Sequence, residues 1–125
     1  MSISLQGFQE AYATFYAPAD AGTEDSTFVP GTLVTLGEGY VVDTPADGGL
    51  FAGVLTHMDE DGCALVQLKG YVRVPYSGTA PAYGYTALCS DASGKVKAPA
   101  QSAAGRYVLV CDVDAATQTA GIILL

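Results

Sequence analysis

Alternation between apolar and polar positions is clearest between residues 64 and 74. The even-numbered positions there are all small or apolar. The odd-numbered positions, apart from Leu65, are polar or amphipathic: Gln67, Lys69, Tyr71 and Arg73. Because successive side chains point to opposite faces of a strand, the pattern predicts a long strand with one buried and one wet face. A strand over 50–57 and an acidic turn at 59–62, with Gly62 at positive φ, complete a predicted hairpin.

Short apolar segments separated by Gly, Pro and Asp continue through the chain. They predict strands at 32–36, 40–43, 85–89, 95–97, 106–112 and 120–125. The two halves match each other, since AGVL at 52–55 corresponds to RYVL at 106–109 and ALVQL at 64–68 to AGIIL at 120–124. The chain is therefore predicted to be all-β, a small closed β-barrel or sandwich built from two related four-strand units.

Residues 1–29 differ from the rest and are treated as a separate N-terminal segment before a domain at 30–125. Aromatic residues here fit either a helix face or a strand: Phe8, Tyr12, Phe15 and Tyr16. The aromatic and Thr content favours a strand, and a polar, acidic loop follows at 18–26. Two alternatives stay open: an ordinary first strand packed on the core, or an arm that contacts a neighbouring molecule.

Composition and charge narrow the classes of function. The chain has 125 residues, half of them hydrophobic, which is enough for one domain with its own core. Its net charge of −8, with five Lys and Arg in total, argues against nucleic acid and anionic membrane surfaces as partners. No segment has the pattern of a signal peptide or a transmembrane helix, so we expect synthesis in a cytoplasm.

Residues that carry chemistry do not form a recognisable reaction centre. His57 is the single histidine, and with Cys63 it lacks the further ligands of a zinc site. The acidic turn at 59–61 lacks the spacing of a calcium loop. We therefore expect no catalysis, no cofactor and no metal. The three cysteines (Cys63, Cys89 and Cys111) are expected to be reduced and mostly buried.

Tyrosines outside the core are the strongest candidates for contacts with other molecules, because they bury a large apolar ring and keep a polar tip. Three of them, with a loop between, lie at Tyr76, Tyr83 and Tyr85. The alternative is a set of scattered surface aromatics. The full set of candidate contact residues is Phe8, Tyr12, Phe15, Tyr16, Lys69, Tyr71, Arg73, Tyr76, Tyr83 and Tyr85.

Several motifs occur in a recognisable order. They are PGTLV at 30–34, FAGVL at 51–55, VQLKGYVRVP at 66–75, DASGKV at 91–96 and IILL at 122–125. In this order they resemble the small capsid decoration (cement) proteins of tailed bacteriophages, over about residues 30 to 125. The resemblance implies a virion protein on the capsid exterior. It would bind the major capsid protein of an expanded head as a homotrimer and stabilise the shell without catalysis.

Two other functions remain open at this point. The first is a different virion interaction module, such as a head-fibre base, a tail-associated domain or a glycan-binding domain, in which exposed tyrosines stack on sugar rings. The second is a small enzyme or metal-binding domain that uses His57, Cys63 and the acids near them.

Overall fold

The computed structural model describes residues 11–18, 29–59, 62–100 and 105–125, and the fold is all-β as predicted. Among these residues, no helix is long and apolar enough to cross a membrane. A 3-10 turn occupies Glu38–Tyr40. The strands are β1 (Ala11–Tyr16), β2 (Leu33–Leu36), β3 (Val42–Asp43), β4 (Gly53–Met58), β5 (Cys63–Pro75), β6 (Gly84–Ser90), β7 (Val96–Lys97), β8 (Arg106–Asp114) and β9 (Thr119–Leu124).

All strands pair antiparallel in one curled sheet. Its order is β3-β2-β4-β5-β9-β8-β6-β7, with β1 paired to β5 beside this path. Strands β3-β2-β4-β5 repeat as β7-β6-β8-β9, which confirms the two related four-strand units. The repeat extends to an irregularity, because the β4–β5 and β8–β9 pairs each skip one residue at the equivalent place, Thr56 and Cys111.

Strand β5 is shared by the two units. Its first part, 63–69, pairs with β1 and mostly also with β4, whereas its second part, 70–75, pairs with β9. The change of partner falls at Gly70, whose φ of 98° is a conformation that side-chain-bearing residues rarely adopt. We call β1–β4 with 63–69 the first unit, and 70–75 with β6–β9 the second unit.

Strand β1 is the counterpart of the second part of β5. It lies against β5 as residues 70–75 lie against β9, and each of these segments ends at a single parallel bridge, Tyr16 to Val41 and Tyr76 to Val96. The next hydrogen bonds also correspond: Ala17 N to Gly62 O is 2.8 Å, and Tyr76 N to Gln118 O is 3.0 Å. Residues 11–16 thus form a strand of the first unit. Their contact with a neighbouring molecule stays a prediction.

Each unit has its own apolar cluster. The first consists of Val34, Val42, Leu55, Ala64 and Val66, with Phe15, Ala17, Met58 and Leu68 against it. The larger second cluster fills the inside of the second unit and also takes in Leu33, Phe51 and Val54 from the first unit. Because Val54 and Leu55 are consecutive residues in different clusters, β4 is buried on both faces. The first unit's sheet is therefore a middle layer between two cores.

One prediction for β5 is wrong at Gln67, which was placed on the wet face. Its side chain is only 3% exposed, because it lies opposite Val54 on the face that the second unit covers. Burial of the amide is compensated by hydrogen bonds, since Nε2 donates to Lys69 O at 3.0 Å and to Tyr71 O at 2.9 Å.

Candidate interaction surface

One row of side chains runs across the outside of the second unit. The strand register places Tyr85 opposite Leu109, Leu109 opposite Ile123, and Ile123 opposite Tyr71. Residues paired in this way share one face of a sheet. The intervening residues Val108, Val110, Ile122 and Leu124 belong to the larger core, so this row points away from it. We call it the outer row.

The outer row is the centre of a surface rich in tyrosine. Tyr85 is 73% exposed, and Tyr107, on the same strand as Leu109 and of the same parity, is 54% exposed. Tyr71 and Leu109 are half-buried, and Ile123 is buried between them. We define the tyrosine face as Tyr71, Tyr85, Tyr107, Leu109 and Ile123.

The charges beside this face are balanced. In the next row Arg73 and Asp112 both lie opposite Gly121, and Arg73 Nη1 is 2.9 Å from Asp112 Oδ2. Arg73 Nε also donates to Thr119 Oγ1 at 2.9 Å. The hydrogen bond to Asp112 raises the pKa of Arg73 above its usual value. These two rows together carry one cation and one anion, on a chain whose net charge is −8.

Gly121 shapes the tyrosine face by leaving room for a ring. A Cβ atom at this position would meet the Tyr71 ring, at 3.0 Å from both Cε2 and Cζ. Without a side chain there, the Tyr71 ring lies across β9. The aromatic cover therefore reaches from β5 over β9 at Gly121, the residue that lies opposite Asp112 on β8.

The equivalent row of the first unit is covered. Counted from the shared irregularity, it consists of Leu33, Val54, Gln67 and Tyr12. Val54 then corresponds to Leu109, so the predicted match of 52–55 with 106–109 is wrong by one residue. Leu33 and Val54 are each 1% exposed and pack in the larger core against the inside of the second unit. The row of the first unit is thus buried except at Tyr12, which is 46% exposed at the β1 end, whereas the row of the second unit is open at Tyr85.

A second group of tyrosines lies on the first unit, where Tyr16 and Tyr40 are both exposed. They line a surface cavity of about 320 Å³ with Thr14, Phe15 and Cys63. Tyr40 has a φ of 63°, a left-handed conformation that is unusual for a residue with a bulky side chain. We call this cavity the β1 cavity.

The predicted contact residues separate into these two groups. Tyr71, Arg73 and Tyr85 lie on or beside the tyrosine face, and Tyr83 is exposed just before β6. Tyr12, Phe15 and Tyr16 lie on β1, where Phe15 is half-buried against the first core. Lys69 is exposed at the end of the β1–β5 pairing. Phe8 lies outside the described residues.

The prediction that Tyr76 is an exposed contact residue is wrong. It is only 4% exposed and belongs to the larger core. The chain does not leave the sheet at Pro75; Tyr76 bridges to Val96 and Ser77 N donates to Val96 O at 2.9 Å, which turns the Tyr76 ring inward. Conversely, Tyr107 and Leu109 were not singled out, although their shared parity in the strand at 106–112 is a signal that could have found them.

Arg106 is a further residue that the sequence did not single out. Its guanidinium donates to four backbone carbonyls: Ala52 O at 2.8 Å, Leu68 O at 3.1 Å, Leu125 O at 3.2 Å and Phe51 O at 3.3 Å. Its Cζ lies 5.3 Å from the centroid of the Phe51 ring, which is a cation–π distance. Burial lowers the pKa of Arg106, but a guanidinium remains charged. Arg106 therefore joins β8 of the second unit to the first unit.

The groups considered for chemistry are mostly at the surface. His57 Nε2 is 2.8 Å from Asp59 Oδ1, and both side chains are more than half exposed. Among the described residues, no three His, Cys, Asp or Glu side chains come together as metal ligands would. Glu60 and Asp61 lie outside the described residues. All three cysteines are free, but the expectation that they are mostly buried holds for Cys89 alone, since Cys63 is half-buried and Cys111 exposed.

Comparisons with protein-family models, with curated proteins and with solved structures find no match. The fold and its surface therefore define the class: an all-β protein of two related curled units, with a charge-balanced tyrosine face on the second unit and a tyrosine-lined cavity on the first.

Proposed function

We propose that this protein decorates the outside of a tailed-phage capsid, where it binds the major capsid protein as a homotrimer and stabilises the expanded shell. The observation that carries the proposal is the presence of two groups of exposed tyrosines, one on each unit, in a chain whose net charge is −8. A decoration protein has to contact both the shell and its sibling copies, so it needs two contact surfaces. The order of motifs that resembles the cement proteins supplies the virion setting.

The chemistry of the two surfaces fits protein partners. Tyrosine gives a large, rigid contact area at low cost in conformational entropy, and its hydroxyl is satisfied by water or by a partner. Away from these surfaces, the excess of Asp and Glu limits non-specific association by like-charge repulsion. Each contact with a shell needs only modest affinity, because linked copies engage several capsid subunits at once.

We assign the shell contact to the first unit, around the β1 cavity. Tyr16 and Tyr40 stand at its rim with their rings largely in solvent, whereas Phe15 anchors β1 to the core. An extended or looped segment of a capsid protein could insert an apolar side chain between the two tyrosines. Lys69, exposed beside the start of β1, adds a cation that an acidic shell surface would attract.

Purified protein added to expanded, undecorated capsids tests the proposal. We expect saturable binding and a higher temperature of thermal disruption of the capsid. The variants Tyr16→Glu and Tyr40→Glu should weaken binding at least tenfold, whereas Leu50→Glu, which adds the same charge at an exposed site in neither group, should bind as the parent chain does. Absence of binding to such shells by the parent chain would sink the proposal.

A glycan-binding module or head-fibre base is the second candidate, favoured by one observation. Tyr40 and Tyr85 expose 70% and 73% of their surface, so their rings are open to stacking on sugars as well as on protein. A glycan array distinguishes the two candidates. Binding to defined glycans, together with no affinity for capsids, would replace the decoration proposal with this one.

A further inference from the structure

We infer that the tyrosine face is the surface by which copies of this chain associate with one another, so that its occupant is a second copy. The inference deepens the proposed function by assigning the subunit contact. Its test nevertheless needs no capsid, and the two can fail separately.

The internal repeat is the first argument. In the first unit, the row that contains Leu33 and Val54 is covered by the second unit. The equivalent row of the second unit has kept large apolar side chains at Tyr85, Leu109 and Ile123. A solvent-exposed face of an antiparallel sheet usually carries polar residues at such alternate positions. The second unit's outer row therefore has the composition of a face that another sheet covers. A second copy packed on this row would cover it as the second unit covers the equivalent row of the first unit.

Charge is the second argument. Two copies with a net charge of −8 each repel one another overall. On the tyrosine face and its neighbouring row, Arg73 and Asp112 compensate each other at 2.9 Å. A strongly basic partner would find one carboxylate there, and a strongly acidic partner would find one cation. A second copy presents the same balanced surface, so this is a place where two copies can meet without net repulsion.

The area of the tyrosine face determines how strongly we expect two copies to associate. Four strands about 4.8 Å apart, each presenting about five residues at about 3.3 Å per residue, give a flat area of roughly 300 Å². A standard stable interface buries about 800 Å² on each partner. We therefore expect reversible association with a dissociation constant on the order of 10 µM, which attachment to a common surface would strengthen through effective concentration.

Sedimentation of the full chain over a range of concentrations is the main test. The parent chain should shift from monomer to trimer as its concentration rises, which is the state that the proposed function requires. Tyr85→Glu and Tyr107→Glu each place a carboxylate in the face and should weaken association at least tenfold. The matched control Leu50→Glu adds the same charge at an exposed site in neither tyrosine group and should leave association unchanged. Near-UV circular dichroism confirms that each variant is folded.

Hydroxyl-radical footprinting gives a second readout at single residues in the unmodified chain. Oxidation of Tyr85 and Tyr107 should fall as the chain associates, while that of Tyr40 should not. A parent chain that stays monomeric at about 1 mM would overturn the inference. So would association that survives both face variants, or a monomer whose capsid binding is lost in Tyr85→Glu, which would assign the face to the shell. Association through this face without any capsid binding would support the inference and refute the proposed function instead.

Discussion

The two units differ most in a row of side chains that both possess. In the first unit the row holds Leu33, Val54 and Gln67, which are buried, and Tyr12, which is 46% exposed. In the second it holds Tyr71, Ile123 and Leu109, which are buried or half-buried, and Tyr85, which is 73% exposed. The strand order, the pairing and the skipped residue are the same in both. The difference therefore arises from what lies next to each unit. A strand's neighbours in its own sheet do not decide whether its outward residues are core or surface.

Residue choice follows that difference. The covered row has aliphatic side chains and one amide whose donors are both satisfied within β5. At its open end the second unit's row has Tyr85, which can keep its hydroxyl group in water. This difference in residue type is expected if the first unit's row packs permanently against the second unit and the second unit's row binds a partner reversibly.

Charging the row in each unit should produce the largest contrast. Val54→Glu places a carboxylate inside the larger apolar core, and we expect a loss of about 4 kcal/mol or more in the free energy of unfolding. Leu109→Glu, at the equivalent position, leaves its carboxylate access to water and should cost less than about 2 kcal/mol. Urea unfolding followed by circular dichroism measures both. Equal losses would show that the tyrosine face is as enclosed as the first unit's row.

The connection between the units should give the next largest effect. Arg106→Met keeps much of the side-chain volume but leaves carbonyls of Ala52, Phe51 and Leu68 without their donor. We expect a loss of about 2–3 kcal/mol in the free energy of unfolding. Arg73→Met is the control, because it removes an exposed ion pair of the second unit and should cost less than about 1 kcal/mol. The same unfolding experiment compares them, and a similar cost for the two arginines would contradict the role assigned to Arg106.

Much of the fold could be predicted because its signals are local. Alternation along residues 64–74 and the spacing of Gly and Asp predicted the strands and the repeat. The positive φ predicted at Gly62 is confirmed at 83°. These features depend on side-chain parity and on backbone conformations that favour glycine, and both are visible in a short window of sequence.

The surface was harder to predict because it depends on packing between units. Gln67 and Tyr76 look like wet positions by parity or by their place beside a loop, yet both are buried by parts of the chain distant in sequence. Arg106 looks like one more surface cation, yet its hydrogen bonds reach residues as far away as Phe51. The alternation of apolar and polar residues along one strand does not show which residues are buried by contacts between the two units.

Filling the space at Gly121 tests how the tyrosine face is shaped. In Gly121→Ala the new methyl group displaces the Tyr71 ring, and we expect a loss of about 1 kcal/mol in the free energy of unfolding together with weaker self-association. In a Tyr71→Ala background the same substitution should cost nearly nothing, because the ring is gone. A double-mutant cycle measures this coupling. Additive effects of the two substitutions would mean that the ring does not lie over Gly121.

The smallest effect concerns a turn that the two units build differently. Gly37 N to Val41 O closes the turn of the first unit at 2.7 Å, and Asp91 N to Lys95 O closes that of the second at 2.8 Å. Only in the second does the first residue of the turn also offer a side-chain acceptor, since Asp91 Oδ1 accepts from Ser93 N at 2.8 Å and Lys95 N at 2.9 Å. Partial burial pushes the pKa of Asp91 upward, but hydrogen bonds from Lys95, Ser77 and Ser93 outweigh it, and the pKa is lowered overall.

A lowered pKa in the folded state means that the unfolded chain binds the proton more readily. The stability that Asp91 contributes is therefore present above its ordinary pKa of about 4 and is lost as the pH falls from there through the lower, folded-state value. We expect Asp91→Asn to cost less than about 1 kcal/mol at pH 7, since the group is partly exposed, and the gap to the parent chain to close below about pH 4. Glu38→Gln removes one negative charge from the first unit's turn and serves as the control. Urea unfolding at a series of pH values measures the gap, and a gap that stays constant from pH 7 to pH 3 would show that the carboxylate's hydrogen bonds are not its source.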